Sequence, residues 1–168
     1  MSEPSEHDFE QLLEANKEKI YRICRIYAIA PLEPQDLFQE VIFQVWKSFS
    51  SFKGKSSVST WIYRIALNVC HRAKTKLGKE HNKLVRMESI HFLPQESDID
   101  EHSQERYQAL HSCISSLNDA DKSIIVLHLE ELPYKEIASI TGLSENYVAV
   151  KMTRIRKLLF DCITHKLK

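Results

Sequence analysis

The stretch Leu132–Leu159, LPYKEIASITGLSENYVAVKMTRIRKLL, decides how this chain is read. Ile137, Ala138 and Ile140 fall on one side of a short helix expected over 134–141. Pro133 stands at its first turn, where a missing N–H costs little. Gly142 can take the left-handed conformation that ends a helix, Leu143 turns back toward a core, and Ser144 can cap the helix that follows. In that second helix, expected over 144–160, Val148, Met152, Ile155 and Leu159 recur at helical spacing and define a buried face. Across from it and along one flank lie Asn146, Tyr147, Val150, Lys151, Arg154 and Lys157. Two helices on a tight turn, the second apolar on one side and rich in donors on the other, have the grammar of a helix-turn-helix. Lys151 and Arg154 can reach base edges or phosphates from such a helix, and Asn146 and Tyr147 sit at the turns that enter a groove. Arg156 and Lys157 suit phosphates. The bland alternative is an αα-hairpin with a solvated basic face. Small Ala138 and the Gly-Leu-Ser turn weigh against it.

Working outward, the chain is helical throughout. Only 3 Gly and 5 Pro occur in 168 residues, and apolar residues recur every three or four positions. Phe9, Leu12, Leu13, Ile20, Ile23 and Ile26 mark a first helix over 8–29, which Pro31 and Pro34 interrupt. Further helices are expected over 35–49, 57–77, 101–116 and 119–130, with Asn118 or Asp119 capping the last. Between 78 and 100 the pattern fails, apart from one helical turn expected around Leu84–Ile90. The expected fold class is therefore all-α: two small helical domains, 1–77 and 101–168, joined by a flexible linker over 78–100.

Charge follows the same division. Net charge is zero, yet residues 53–83 hold 8 Lys/Arg against 1 Asp/Glu, and residues 132–168 hold 7 against 3. Residues 1–52 hold 5 against 9, and residues 84–131 hold 3 against 10. Separated basic segments can each grip a polyanion, while acidic ones can cover them or meet a basic partner. The sequence carries no phosphate-binding glycine loop, no nucleophile–base set and no metal-ligand spacing, so neither an enzyme nor a metal or other cofactor is expected. Cys24, Cys70, Cys113 and Cys162 are scattered and read as small core hydrophobes. No apolar run is long enough to span a membrane, and the polar, acidic start is unlike a signal peptide, so a cytoplasmic location is expected.

Two stretches of the N-terminal half carry chemistry beyond core packing. In DLFQEVIFQVW, residues 36–46, Leu37, Val41 and Val45 form an apolar stripe with Phe49. Asp36, Gln39, Glu40, Phe43 and Trp46 fall away from its centre, an acidic, amide and aromatic patch suited to a protein partner. In FKGKSSVSTWIYRIALN, residues 52–68, a basic hinge with Lys53, Gly54 and Lys55 precedes a helix whose core stripe is Val58, Ile62, Ile65 and Val69. Trp61, Arg64 and Asn68 lie on a neighbouring stripe that runs on toward His71 and Arg72. A Trp beside a basic groove can hold an unpaired strand by stacking. An aromatic core edge is the plainer alternative for Trp61, as a wider core is for Phe43 and Trp46.

Together, in this order and spacing, the three motifs resemble a bacterial RNA polymerase sigma factor of the extracytoplasmic-function type, which has a sigma-2 and a sigma-4 domain. The resemblance covers nearly the whole chain apart from the first residues and the linker. It implies that Asp36, Gln39, Glu40 and Trp46 meet the β′ clamp helices of core RNA polymerase. It implies that Phe52, Lys53, Gly54, Lys55 and Ser56 receive a flipped base of the minus-ten non-template strand, with Trp61, Arg64, Asn68 and Arg72 beside the melted promoter. For minus-thirty-five DNA it implies Ser144, Asn146, Tyr147, Val150, Lys151, Arg154, Arg156 and Lys157, with the β flap as a further partner. Family members are commonly held inactive by an anti-sigma factor, often membrane-anchored, and do not themselves insert into membranes. Many relatives carry Arg where Ala149 and Lys151 stand, and an acid where Lys55 stands, so promoter preference is not carried over. Two other readings stay open: a mimic that titrates an anti-sigma factor, and a stand-alone helix-turn-helix regulator with a ligand-sensing half.

Overall fold

The computed structural model describes residues 5–81 and 100–168. They fall into two separate compact units, one on each side of the stretch between them. Seven helices and no strand are present among the described residues. The expected turn around Leu84–Ile90 lies outside them.

The first unit is a three-helix bundle of α1 (Glu6–Tyr27), α2 (Pro34–Phe49) and α3 (Val58–His81). Ser5 starts α1 with a capping box: its hydroxyl accepts from the Asp8 N–H, and the Asp8 carboxylate accepts from the Ser5 N–H. The Ser5 N–H first, and second the Ser5 hydroxyl, which also donates to the carboxylate at 2.8 Å, hold the Asp8 carboxyl below its ordinary pKa. Pro34 occupies the first turn of α2, where the helix has no use for its missing N–H. Ile20, Ile23, Leu37, Val41, Ile62, Tyr63 and Ala66 close the core. The expected α3 stripe is too narrow. Ile62 and Val69 are buried as expected, but so are Tyr63, Ala66, Leu67 and Cys70, while Val58 and Ile65 are half-buried. α3 packs against both α1 and α2, so two sides of it face apolar neighbours.

Buried Asn16 sits between these helices. Its amide nitrogen donates to the Leu12 carbonyl at 2.8 Å, and its oxygen accepts from the Ser59 hydroxyl at 3.3 Å, which ties α1 to the start of α3. The thiols of Cys24 and Cys70 meet in the same core. Contact with Cys24 first, and burial second, push the Cys70 thiol up, so it stays protonated.

The second unit holds α4 (Glu101–Ser115), α5 (Asp119–Leu129), α6 (Tyr134–Thr141) and α7 (Glu145–Lys166). Its core is Ile114, Ile124, Leu127, Ile137, Val148, Met152 and Ile155. α7 contacts α4, α5 and α6, which makes it the central element of the unit. Most helix ends fall within one or two residues of expectation, and three bear on the packing. α1 stops at Tyr27, because Ala28 turns extended. α3 runs through Gly78 to His81, into the stretch expected to be linker, because Gly78 is not in a left-handed conformation that would end a helix. α7 runs past 160 to Lys166.

That last extension carries Cys162 back onto α4, where it is joined to Cys113 in a disulfide with Cα atoms 6.0 Å apart. Cys24 and Cys70 are the buried free thiols expected. Cys113 and Cys162 are not, because α4 and α7 pack side by side and bring together two cysteines 49 residues apart.

Candidate nucleic-acid interface

The helix-turn-helix is built as its sequence dictates. The N–H groups of Gly142 and Leu143 both donate to the Ala138 carbonyl, at 2.9 and 3.1 Å, and Gly142 adopts φ +75°. That left-handed residue turns the chain sharply out of α6. The Ser144 hydroxyl then accepts from the Tyr147 N–H at 3.2 Å and opens α7. Val148, Met152, Ile155 and Leu159 are all buried, so the rotation of α7 about its own axis is fixed. Ser144, Asn146, Tyr147, Val150, Arg154, Arg156 and Lys157 are left exposed. Val150 is the most open apolar residue of this group, 62% exposed.

Arg156 and Lys151, two of the residues expected to meet DNA, have side-chain partners inside the unit. The Arg156 guanidinium approaches His128 Nε2 at 3.3 Å and the Tyr134 hydroxyl at 3.4 Å. Burial first, and the Arg156 charge second, lower the pKa of His128. Lys151 is half-buried, and its Nζ donates to Asp121 Oδ1 at 2.9 Å. That hydrogen bond raises the Lys151 pKa above its ordinary value. The sequence reading did not single out Asp121. The only trace of it there is the spacing of NDAD, residues 118–121, which puts an acid three positions after a cap.

In the first unit, Phe52–Ser57 forms the hinge before α3. Gly54 has φ +66°, and no atom stands within 4 Å of where a Cβ would project. Its left-handed backbone, not crowding, is what glycine satisfies there. The Ser57 hydroxyl accepts from the Thr60 N–H at 3.1 Å at the start of α3. Phe52 folds back on Trp61, with ring centroids 4.9 Å apart and planes tilted by 40°. Lys53, Gly54, Lys55, Asn68 and Arg72 are exposed; Ser56, Trp61 and Arg64 are half-buried. The hinge and the Trp61 stripe are therefore brought together, with one aromatic contact joining them.

On α2, Asp36, Gln39, Glu40, Phe43 and Trp46 all reach solvent. Phe43 is 56% and Trp46 49% exposed, so neither widens the core. Trp46 keeps an edge contact with Phe9, ring centroids 4.8 Å apart, which limits its rotamers. A half-exposed, half-fixed aromatic beside exposed acid and amide groups is suited to anchoring a protein partner. Among the described residues no group of His, Cys, Asp and Glu is arranged to hold a metal ion, and no helix is long and apolar enough to cross a membrane.

A three-helix unit with an exposed aromatic-acidic face and a basic hinge, followed by a helix-turn-helix unit, defines a class of DNA-directed binding protein. Comparison with known proteins narrows it. Residues 12–80 match the model of sigma-70 region 2, and residues 107–159 that of sigma-70 region 4. The chain is 26% identical over 160 residues to the extracytoplasmic-function RNA polymerase sigma factor SigG of Mycobacterium tuberculosis. That match covers 88% of this chain but only 39% of the relative. It is 27% identical to the RNA polymerase sigma factor SigV of Bacillus subtilis, covering 86% of this chain and 84% of that one. Its fold is similar to that of the sigma factor RpoE in its complex with the anti-sigma factor NepR from Bartonella quintana, with a TM-score of 0.75 at 20% identity, covering 94% of this chain and 97% of that one. The chain belongs to the extracytoplasmic-function type of the sigma-70-like family.

Proposed function

We propose that this chain is an alternative sigma factor, which binds core RNA polymerase and directs promoter recognition, DNA melting and transcription initiation without a catalytic residue of its own. The observation that carries this reading is the exposure of Asn146, Tyr147, Val150 and Arg154 on a recognition helix whose opposite side is wholly buried. Unit 1, which the sequence bounded at 1–77, takes the polymerase contact through Asp36, Gln39, Glu40 and Trp46. It takes minus-ten DNA through Phe52–Ser56, Trp61, Arg64, Asn68 and Arg72. Unit 2, bounded at 101–168, reads minus-thirty-five DNA through Ser144, Asn146, Tyr147, Val150, Arg154 and Lys157, with Arg156 on phosphate, and meets the β flap.

The half-exposed Trp46 and the pairing of Phe52 with Trp61 support the first set of roles. The protein works in the cytoplasm, where the polymerase is, and an anti-sigma factor restrains it by covering these surfaces. One similar solved structure is a sigma factor bound to such a partner, which supports that last step. Run-off transcription with core polymerase across a promoter library tests the proposal. Initiation at a defined subset of promoters is expected. No initiation at any promoter overturns it, as does tight sequence-specific DNA binding by the free chain.

A further inference from the structure

Lys151 stands on the flank of the recognition helix, where the sequence makes it a reader of DNA. The structure turns its ammonium the other way. Asp121 lies in α5 and is 5% exposed, and each of its two carboxylate oxygens has its own donor. Oδ2 accepts from Asn118 Nδ2 at 2.8 Å, and Oδ1 accepts from Lys151 Nζ at 2.9 Å. The Asp121 N–H donates to Asn118 Oδ1 at 2.9 Å, so the aspartate is held at the first turn of α5 from both sides. The positive end of the α5 dipole favours an anion there. Lys151 also lies 5.8 Å from the centre of the Tyr147 ring, one turn back along α7. A continuous path thus runs from the cap of α5, through Asp121 and Lys151, to an exposed aromatic at the groove-entering end of α7.

We propose that Asp121 is a positioning residue for promoter reading: it braces α5 against α7 and holds Lys151 off the DNA, so that Tyr147, Val150 and Arg154 read the bases without it. The inference deepens the sigma-factor reading above and rests on it. A pair with side chains 18% and 8% exposed is largely shielded from salt and water. Removing one partner leaves the other short of its hydrogen bond. In Asp121→Asn the ammonium is released toward the outer face, and the helix gains a cation that the intact protein withholds.

The test compares the full chain with its Asp121→Asn, Lys151→Met and double variants, plus Lys151→Arg, which retains the ion pair. Each is assembled with core polymerase and assayed on promoters randomised across the upstream element. The expected result is that Lys151→Met lowers initiation by a similar factor at every promoter, leaving base preferences intact. Asp121→Asn should change those preferences and steepen the salt dependence of promoter binding by about 0.9 in log–log slope, one added phosphate contact. The double variant should lose the added slope, and Lys151→Arg should keep the parent preferences. Loss of about fivefold or more in discrimination at one base position with Lys151→Met, and none with Asp121→Asn, would mean that Lys151 reads that base directly, and overturns the proposal.

If no form initiates, the sigma-factor reading has failed, and thermal unfolding of the same four variants decides the clamp. The shifts of Asp121→Asn and Lys151→Met should then be non-additive in the double variant. Additive shifts overturn the pairing itself.

Discussion

Breaking the Cys113–Cys162 link should loosen the second unit and leave the first alone. The bridge closes a loop of 49 residues that contains α5, α6 and most of α7. Closing a loop of that length removes chain entropy from the unfolded ensemble, worth about 4 kcal/mol on the loop-entropy estimate. A domain of this size is held by roughly 0.1 kcal/mol per residue, so the link is a large fraction of what keeps it folded. At about 4 °C per kcal/mol, reduction should lower the melting temperature of the second unit by about 15 °C. The assay is thermal unfolding of the full chain followed by far-ultraviolet circular dichroism, with and without reductant. Cys162→Ser without reductant serves as the equivalent genetic change. The first unit has no disulfide, only the buried thiols of Cys24 and Cys70, so its transition should stay where it is. Alkylation of the denatured chain should cap two cysteines before reduction and all 4 after it. A shift below about 3 °C on reduction, with two caps before it, would refute the loop-entropy reasoning. Four caps before reduction would refute the bridge. In a cytoplasmic protein the thiol pool keeps most such pairs reduced, so the lower melting temperature would then be the working one.

Three more perturbations follow from individual residues. Burial and Arg156 hold the His128 pKa below its ordinary 6.5, so the unfolded chain takes up that proton more readily than the folded one. Stability should be complete above pH 6.5 and fall as pH drops through the lower folded-state value; His128→Gln should flatten this dependence in melting curves taken from pH 5 to pH 8. Gly142→Ala meets no neighbouring atom within 4 Å, so its effect is confined to the left-handed backbone at φ +75°. It should destabilise the second unit by about 1–2 kcal/mol in urea titration, and an unchanged midpoint would argue that the turn relaxes without cost. Trp46→Ala removes a half-exposed ring whose aromatic neighbour is Phe9, a pair worth about 1 kcal/mol to the fold. As an interface anchor it should weaken capture of core polymerase by about 2 kcal/mol, roughly thirtyfold, and equal capture would remove Trp46 from the contact.

Local signals in the chain are strong, and they place most of the molecule. The cap, the left-handed glycine and the four apolar residues of α7 each report on neighbours within one or two turns, and all stand where periodicity puts them. What the sequence misses is long-range. Asp121 and Lys151 are 30 positions apart, and nothing in the spacing of either predicts the other. Cys113 and Cys162 carry no motif because their pairing depends on α7 running past 160 to lie along α4. Tyr63 is buried against expectation because a single-stripe reading of α3 assumes one packing partner, and α3 has two. The helix expected to end at 77 runs on through Gly78, because glycine within a helix is tolerated at about 1 kcal/mol.

Both surfaces assigned to nucleic acid have internal contacts in the free chain. Lys151 is held by Asp121, and the Trp61 ring is met by Phe52. A DNA base that stacks on Trp61 gains about 1–3 kcal/mol, while an aromatic pair is worth about 0.5–1.5 kcal/mol beyond its buried area. Where stacking requires Phe52 to move, the difference leaves a narrow margin in favour of the base. Extruding that base from a duplex costs a few kcal/mol, which consumes the margin. A free chain with zero net charge has no surplus of long-range attraction to make up the deficit. The exchange becomes favourable only when the strand is presented at high local concentration, which tethering both units to one large partner on the same DNA supplies. Weak binding by the free protein is thus the expected outcome of how its side chains already satisfy one another, and a gel-shift titration without polymerase checks it.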